Sequence, residues 1–314
     1  MISYVLKRII TIIPIFLLAT LIIFGMINLS PVDPAEAYFA ASHIQATDEM
    51  LEQKRHEFGL DQPLLIQYVQ TVIKICQFDF GISYITNKPV WEEISSRILA
   101  TIQLTAGSLF IAILVSVPLG YLAGIKKNSL MDQFSRFLSF IGAAIPSFWL
   151  GYLLIFFFSV KLDLFPVEGT GTWKHLILPS VTLALPLIAL YTRLLRNSVL
   201  ENLQEPYVFY GKTRGIHRRI ITGKHVLRMA IPPMITGLGM NMGNLLTGAI
   251  IVEAVFSWPG FGRYFIEAIF NRDVPVIQAY VLIAACFYLI SNLFVDLIQM
   301  FIDPRISRKG RQFP

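Results

Sequence analysis

The sequence predicts an all-α polytopic membrane protein with six transmembrane helices. Three observations carry that expectation. Uncharged apolar runs of membrane length recur along the chain, charged residues are scarce, and the Lys and Arg that remain gather in alternate connecting segments. Of 314 residues, 55% are hydrophobic and only 15% charged, against roughly a quarter charged in a soluble domain. Mean hydropathy is +0.62. The net charge of +6 would suit nucleic acid if it lay on a soluble surface. Here it sits in short loops between greasy runs.

A bilayer core of roughly 30 Å needs about 20 apolar residues at 1.5 Å per residue. Residues 9–29, 98–125, 137–160, 175–192, 229–252 and 274–295 meet or approach that length. The first is too long and uniform for a signal-peptide core, and no small-residue cleavage site follows it, so it reads as a retained helix. Orientation follows from the basic residues. Lys7 and Arg8 precede the first span, and Lys126, Lys127 and Arg136 lie between the second and third. Eight basic residues from Arg193 to Arg228 face only Glu201 and Glu205, and the tail DPRISRKGR is basic too. With six spans these all fall on the cytoplasmic side, together with both termini. The chain then divides into residues 1–29 (N-terminus and first span), 30–97 (an external segment) and 98–314 (a five-span core).

The external segment is not a linker. Thr47-Asp48-Glu49 reads as an N-cap followed by two acids in a first turn, and that helix should stop near Phe58-Gly59. Pro63 then opens a second helix through Ile75, with Leu64, Ile66, Tyr68, Val69, Val72 and Ile73 supplying apolar surface. A small external helical cap is expected. Its ten acids against five Lys or Arg leave two readings, an attractive surface for a cationic ligand or a plainly solvated one.

Residues 210–225 read YGKTRGIHRRIITGKH, with Lys212, Arg214, Arg218, Arg219 and Lys224 and no acid. Val199, Leu200, Leu203, Tyr207, Val208 and Tyr210 precede at helical spacing, Pro206 marks a kink or restart, and residues 217–228 form a further helical stretch. Gly211 and Gly215 bracket the basic triplet, and Gly215 lets the backbone turn sharply. Charge alone describes an ordinary cytoplasmic loop. The length of the segment, its two glycines and its apolar face favour a rigid corner that a partner grips.

The titratable residues near the spans form one further set. Glu253 lies about 24 residues, or roughly 36 Å, along the fifth span, so it should stand near the outer interface rather than at the midplane. The following SWPGFGR, with Trp258, Pro259 and Gly260, reads as a re-entrant turn or gate. Arg263 and Arg272 are the expected partners of Glu253, with Asp273 beside them; an interfacial carboxylate in water is the plainer reading. Asp296 falls at the inner end of the sixth span. His43, His56, His175, His217 and His225 show no ligand spacing, and Cys76 and Cys286 form no CxxC pair. No metal site is expected. Met240, Met242 and Asn244 are the candidates for lining a path through the fifth span, although methionine there also serves as packing.

Several segments together resemble one family. They are FGLDQPLLIQY, FDFGISY, SVPLGYLAG, AIPSFWLG, LPSVTLALP, EPYVFYGKTRGIHRRIITGKHVLRMAIPPMIT, EAVFSWPGFGRY, NRDVPVIQAY and DPRI, in this order along the whole chain. The chain resembles ABC importer permeases of the dipeptide, oligopeptide and nickel family. TDEMLEQKRHEFGLDQPL, FDFGISYITNKPV and AIFNRDVPVIQ are most similar to its nickel-importer branch. Two departures stand out: SPVDP replaces the Pro-Gly-Asp-Pro of peptide permeases, and Gly211 occupies a usual alanine, a change that loosens a helix by up to about 1 kcal/mol.

The resemblance implies a type I ABC importer permease fold with a cytoplasmic coupling helix within residues 197–228. It places the family's coupling glycine on Gly215. Tyr207, Gly211, Lys212, Arg214, Gly215 and His217 then form the surface held by the ATPase. It further implies a second permease subunit, expected as a heterodimer, two cytoplasmic ATPases carrying ATP and Mg, and an external substrate-binding protein. No GxxxxGK[ST] occurs, so this chain has no such phosphate cradle of its own, and no cofactor is expected in it. The expected cargo is nickel or a metal chelate, with a peptide as the alternative. A secondary transporter would show buried midplane carboxylates and an internal repeat, and an intramembrane protease a Ser-His or paired-Asp constellation; neither is seen.

Overall fold

A computed structural model describes residues 2–29, 33–41 and 44–302; the side chains of residues 2–9, 12, 239, 240, 242–244, 246–248, 295, 296 and 298–302 lie outside that description. Among the described residues the chain is helical, with one isolated bridge between Ile82 and Pro89. The helices in chain order are α1 (Ile2–Asn28), α2 (Pro34–Ala41), α3 (Asp48–Phe58), α4 (Leu64–Cys76), α5 (Val90–Ile125), α6 (Leu130–Ala144) and α7 (Ser147–Leu154). There follow α8 (Trp173–Asn202), α9 (Pro206–Thr213), α10 (Arg218–Ile220), α11 (Leu227–Val255), α12 (Phe261–Phe270) and α13 (Val274–Ile302). Two π-helical stretches, Ile155–Lys161 and Ile221–Val226, extend α7 and α10.

Among the described residues, α5, α8 and the part of α13 from Val274 to Phe294 are each long and apolar enough to cross a membrane. The third expected span is not one straight helix. Leu130–Ala144 and Ser147–Lys161 meet at 106°. The cause is Pro146, which pushes the residue before it out of the helical region. Ile145 is extended there, at φ −83° and ψ 124°.

The chain clusters into two compact units, Met1–Thr101 with Pro259–Leu289, and Ile102–Trp258 with Ile290–Pro314. In the second, α8 packs against α6 and α11 and buries Tyr191, Leu195 and Val199. Small residues set how close these helices come. A Cβ on Gly142 would stand 2.7 Å from the Ala189 Cβ, and one on Gly124 would stand 2.6 Å from a Val199 methyl.

In the first unit the segment between α1 and α5 forms the two helices its sequence suggests, Asp48–Phe58 and Leu64–Cys76. The Thr47 side chain accepts the Met50 amide at 3.4 Å, and Gly59 closes α3 at φ +69°. Tyr38, Phe58 and Tyr84 form a ring cluster with centroids 5.3–6.0 Å apart, and the Lys54 ammonium lies 4.2 Å from the Tyr38 centroid. Arg55 reaches Asp33 at 2.6 Å and holds this cluster to the start of α2. Burial of such aromatics supplies most of the stabilisation a small helical layer can have.

Candidate functional site

The basic corner is built on a helix stop. Pro206 occupies the first turn of α9, where its missing N–H costs nothing. Arg214 caps the helix, and the chain reverses through Gly215 at φ +70°. The Ile216 amide donates to the Gly211 carbonyl at 3.0 Å and the Gly215 amide to Lys212 at 3.0 Å. This pair of bonds is the Schellman arrangement, which requires a left-handed residue at Gly215. The His217 ring then accepts the Arg219 amide at 3.3 Å and starts the next helix. A Cβ on Gly211 would lie 3.1 Å from the tip of Ile221, so α9 sits close against the π-helical stretch. Tyr207 reaches Asn202 at 3.2 Å and fixes the approach from α8.

What remains outside is an apolar and basic knob. Phe209, Tyr210 and Ile220 are exposed, and the Arg214 guanidinium lies 5.6 Å from the Tyr210 centroid. Inside, Val208 and Ile221 are buried. The Tyr121 hydroxyl donates to the Thr222 Oγ1 at 3.1 Å and ties the end of α5 to the knob's second arm. The structure thus brings Tyr207, Gly211, Lys212, Arg214, Gly215 and His217 into one corner.

Between α6 and α8 lies an ion pair that the sequence did not reveal. Asp132, in the first turn of α6, is fully buried, and Arg196 on α8 grips it with both arms, Nε at 2.5 Å and Nη2 at 3.0 Å. The Asn128 amide also donates to it at 2.8 Å. The two residues are 64 positions apart, and no local pattern links them.

The expected outer set divides. Glu253 does not stand beside water: it is fully buried, because the helix end that carries it is packed rather than solvated, and its carbonyl accepts the Trp258 amide at 2.9 Å. Ser257 turns the chain at φ +51°, Trp258 is buried, and Gly260 precedes α12. Arg263 pairs with Glu267 on its own helix at 2.9 Å, and Arg272 takes a left-handed turn at φ +55°. Asp273 is the best-held member. Its carboxylate accepts Ser83 Oγ at 2.5 Å and the Tyr84 amide at 3.2 Å. Nearby, Glu93 bonds the Tyr264 hydroxyl, and Arg97 lies 4.1 Å from the Tyr264 centroid. Ser83, Glu93 and Tyr264 were not singled out from sequence, and their partners lie 171–190 residues away. The side chains of Met240, Met242 and Asn244 lie outside the described residues. Among the described residues no group of three His, Cys, Asp or Glu could hold a metal ion.

Burial raises the Asp273 carboxyl above its usual range, while the Ser83 and Tyr84 donors act against that shift. A carboxyl raised in the folded state is penalised while ionised, and the penalty is relieved as pH falls through its folded value. Relative to Asp273→Asn, the native protein should therefore gain stability between neutrality and the ordinary carboxylate value near 4. Apparent melting midpoints of both proteins across that range measure it; a constant difference would refute the shift.

Long apolar helices and an exposed apolar and basic knob on a glycine stop describe a helical membrane protein with one protruding corner. Residues 116–308 match the binding-protein-dependent transport system inner membrane component family, and residues 1–105 match its N-terminal membrane component. The chain belongs to this family of ABC importer permeases; it is a multi-pass inner-membrane transport subunit and not an enzyme. It is 37% identical over 309 residues to the glutathione transport system permease protein GsiC of Salmonella typhimurium, covering 98% of this chain and 100% of that protein. The GsiC protein of Escherichia coli K12 is 36% identical over the same length and coverage. The inward-facing MetNI methionine ABC transporter, in its CY5 native crystal form, matches at a TM-score of 0.57 and 16% identity, over 67% of this chain and 96% of that one. That likeness shows the type I ABC importer permease fold.

Proposed function

We propose that this chain is the permease of an importer for small peptides, of the class represented by glutathione. The observation that supports the reading is the full-length similarity to glutathione permeases. The nickel or metal-chelate reading rests on a few segments in the external cap and before α13, and it is the second reading. The proposed assembly pairs this chain with a second, different permease and two cytoplasmic ATPases that bind ATP and Mg, and an external binding protein delivers cargo. The basic loops support a cytoplasmic position for both termini. ATP bound to the partners then changes the ratio of outward- and inward-facing states, and the knob at Arg214 and Gly215 carries that change into α11. Pro259, Gly260 and the Asp273 cluster are assigned to the outer closure.

A strain lacking this chain should lose uptake of labelled glutathione or dipeptide, and high-affinity nickel uptake should persist. Loss of nickel uptake with peptide uptake intact would move the protein to the metal branch and leave the fold assignment untouched.

A further inference from the structure

Helix α4 has three distinct faces. At 100° per residue, Leu65, Val69, Val72, Ile73, Ile66 and Cys76 fall on one arc of about 120°. Leu65, Ile66, Val69 and Ile73 on that arc are 47–75% exposed, and none of it is charged. The polar side chains turn the other way. The Gln67 amide donates to the Leu60 and Gln62 carbonyls at 3.1 and 2.7 Å, and Gln70 donates to the Gln62 side chain at 3.0 Å. Tyr68, on the third face, points at α1.

The contact of Tyr68 sets the depth of this helix. Its hydroxyl donates to the Leu17 carbonyl at 3.0 Å and lies 3.0 Å from the Thr20 Oγ1. Its ring stands edge-on to Phe24, with centroids 5.5 Å apart. Phe24 is four residues inside the α1 end at Asn28, so roughly 6 Å, and Leu17 is eleven inside, so roughly 16 Å. The hydrocarbon core is about 30 Å thick, so Leu17 lies near its midplane. A helix in contact with α1 along that stretch is below the membrane surface. On α1 itself, Leu18, Leu21 and Met26 are exposed as well. At 13 residues α4 is too short to span.

We infer that α4 is not part of a solvated cap but is inserted in the outer leaflet, with its Leu65–Val69–Ile73 arc against lipid acyl chains. Amphipathic helices with an uncharged apolar face and a polar face turned to the headgroups take this position. Lys74 then extends its stem toward the headgroup level.

Spin labels test the depth directly. In a Cys76→Ser, Cys286→Ala background, labels are placed at Leu65→Cys, Val69→Cys and Ile73→Cys, with Asp61→Cys as the water reference. The assembled transporter is reconstituted in phospholipid bilayers, and collision with oxygen is compared with collision with chromium oxalate. Oxygen should dominate several-fold at the three arc positions, and chromium oxalate at Asp61. Native Cys76 lies on the same arc, so a label there with only Cys286→Ala repeats the measurement without altering the helix. Chromium oxalate dominating on the arc would restore the solvated cap and overturn the proposal. Low collision with both reagents would show the arc covered by protein, the second permease first among candidates, and would overturn it equally.

Discussion

Gly215→Val is expected to abolish transport while leaving the permease in the membrane. At φ +70°, a β-branched residue is held in a backbone region that costs on the order of 1–3 kcal/mol. Nothing lies within 4 Å of the position a Cβ would take, so the cost is backbone strain rather than collision. The stop relieves that strain by opening its two closing bonds, which moves the exposed Tyr210–Arg214 surface. A shift worth 1.4 kcal/mol weakens a docking contact about tenfold. Gly215→Asn should retain most function, because asparagine visits the left-handed region routinely. Arg214→Glu should act more mildly than the valine, through one exposed charge contact. The readouts are permease abundance, ATPase co-purification and ATP hydrolysis stimulated by loaded binding protein. Full stimulated hydrolysis in Gly215→Val would reduce the corner to a topology signal.

Arg196→Leu is expected to lower stability by about 3–5 kcal/mol, the cost of leaving a buried carboxylate without its partner. A loss of that size lowers an apparent midpoint by on the order of 10 °C. Pairing Arg196→Leu with Asp132→Asn removes the orphaned charge and should recover most of the loss. Thermal inactivation of the purified complex compares the native protein with both variants. A double variant no better than the single one would show that Arg196 acts through packing rather than charge.

The parts of the fold legible in the sequence are those governed by neighbours in the chain. Apolar runs mark the long helices, Thr47 and Gly59 mark the ends of α3, and Gly215 marks the reversal, because capping and left-handed turns act over a few residues. The break at Pro146 was hidden because hydropathy is uniform through residues 137–160, and a proline inside an apolar run does not announce its bend: Pro14, Pro118, Pro179 and Pro186 all sit within continuous helices. Asp132–Arg196 and Ser83–Asp273 were hidden for another reason. A pairing across 64 or 190 residues is fixed by packing, and a single sequence holds no record of it. Glu253 was placed by its distance along the helix, which gives height but not whether that height is covered. The position of α4 required its tyrosine contact for the same reason.

The bend between α6 and α7 has a consequence for what solvates the protein. Pro146 has no N–H, so the Gly142 carbonyl loses its donor four residues on, at a level of the chain flanked by Phe140 and Phe148, both exposed. Hydrocarbon offers no replacement for such a donor, and an interrupted backbone persists at that depth only against other protein or water. The elbow at Ile145-Pro146 therefore calls for protein rather than lipid against its backbone, and α8 supplies it: Gly142 is buried, and a Cβ there would stand 2.7 Å from Ala189 and 3.0 Å from the Leu185 carbonyl oxygen.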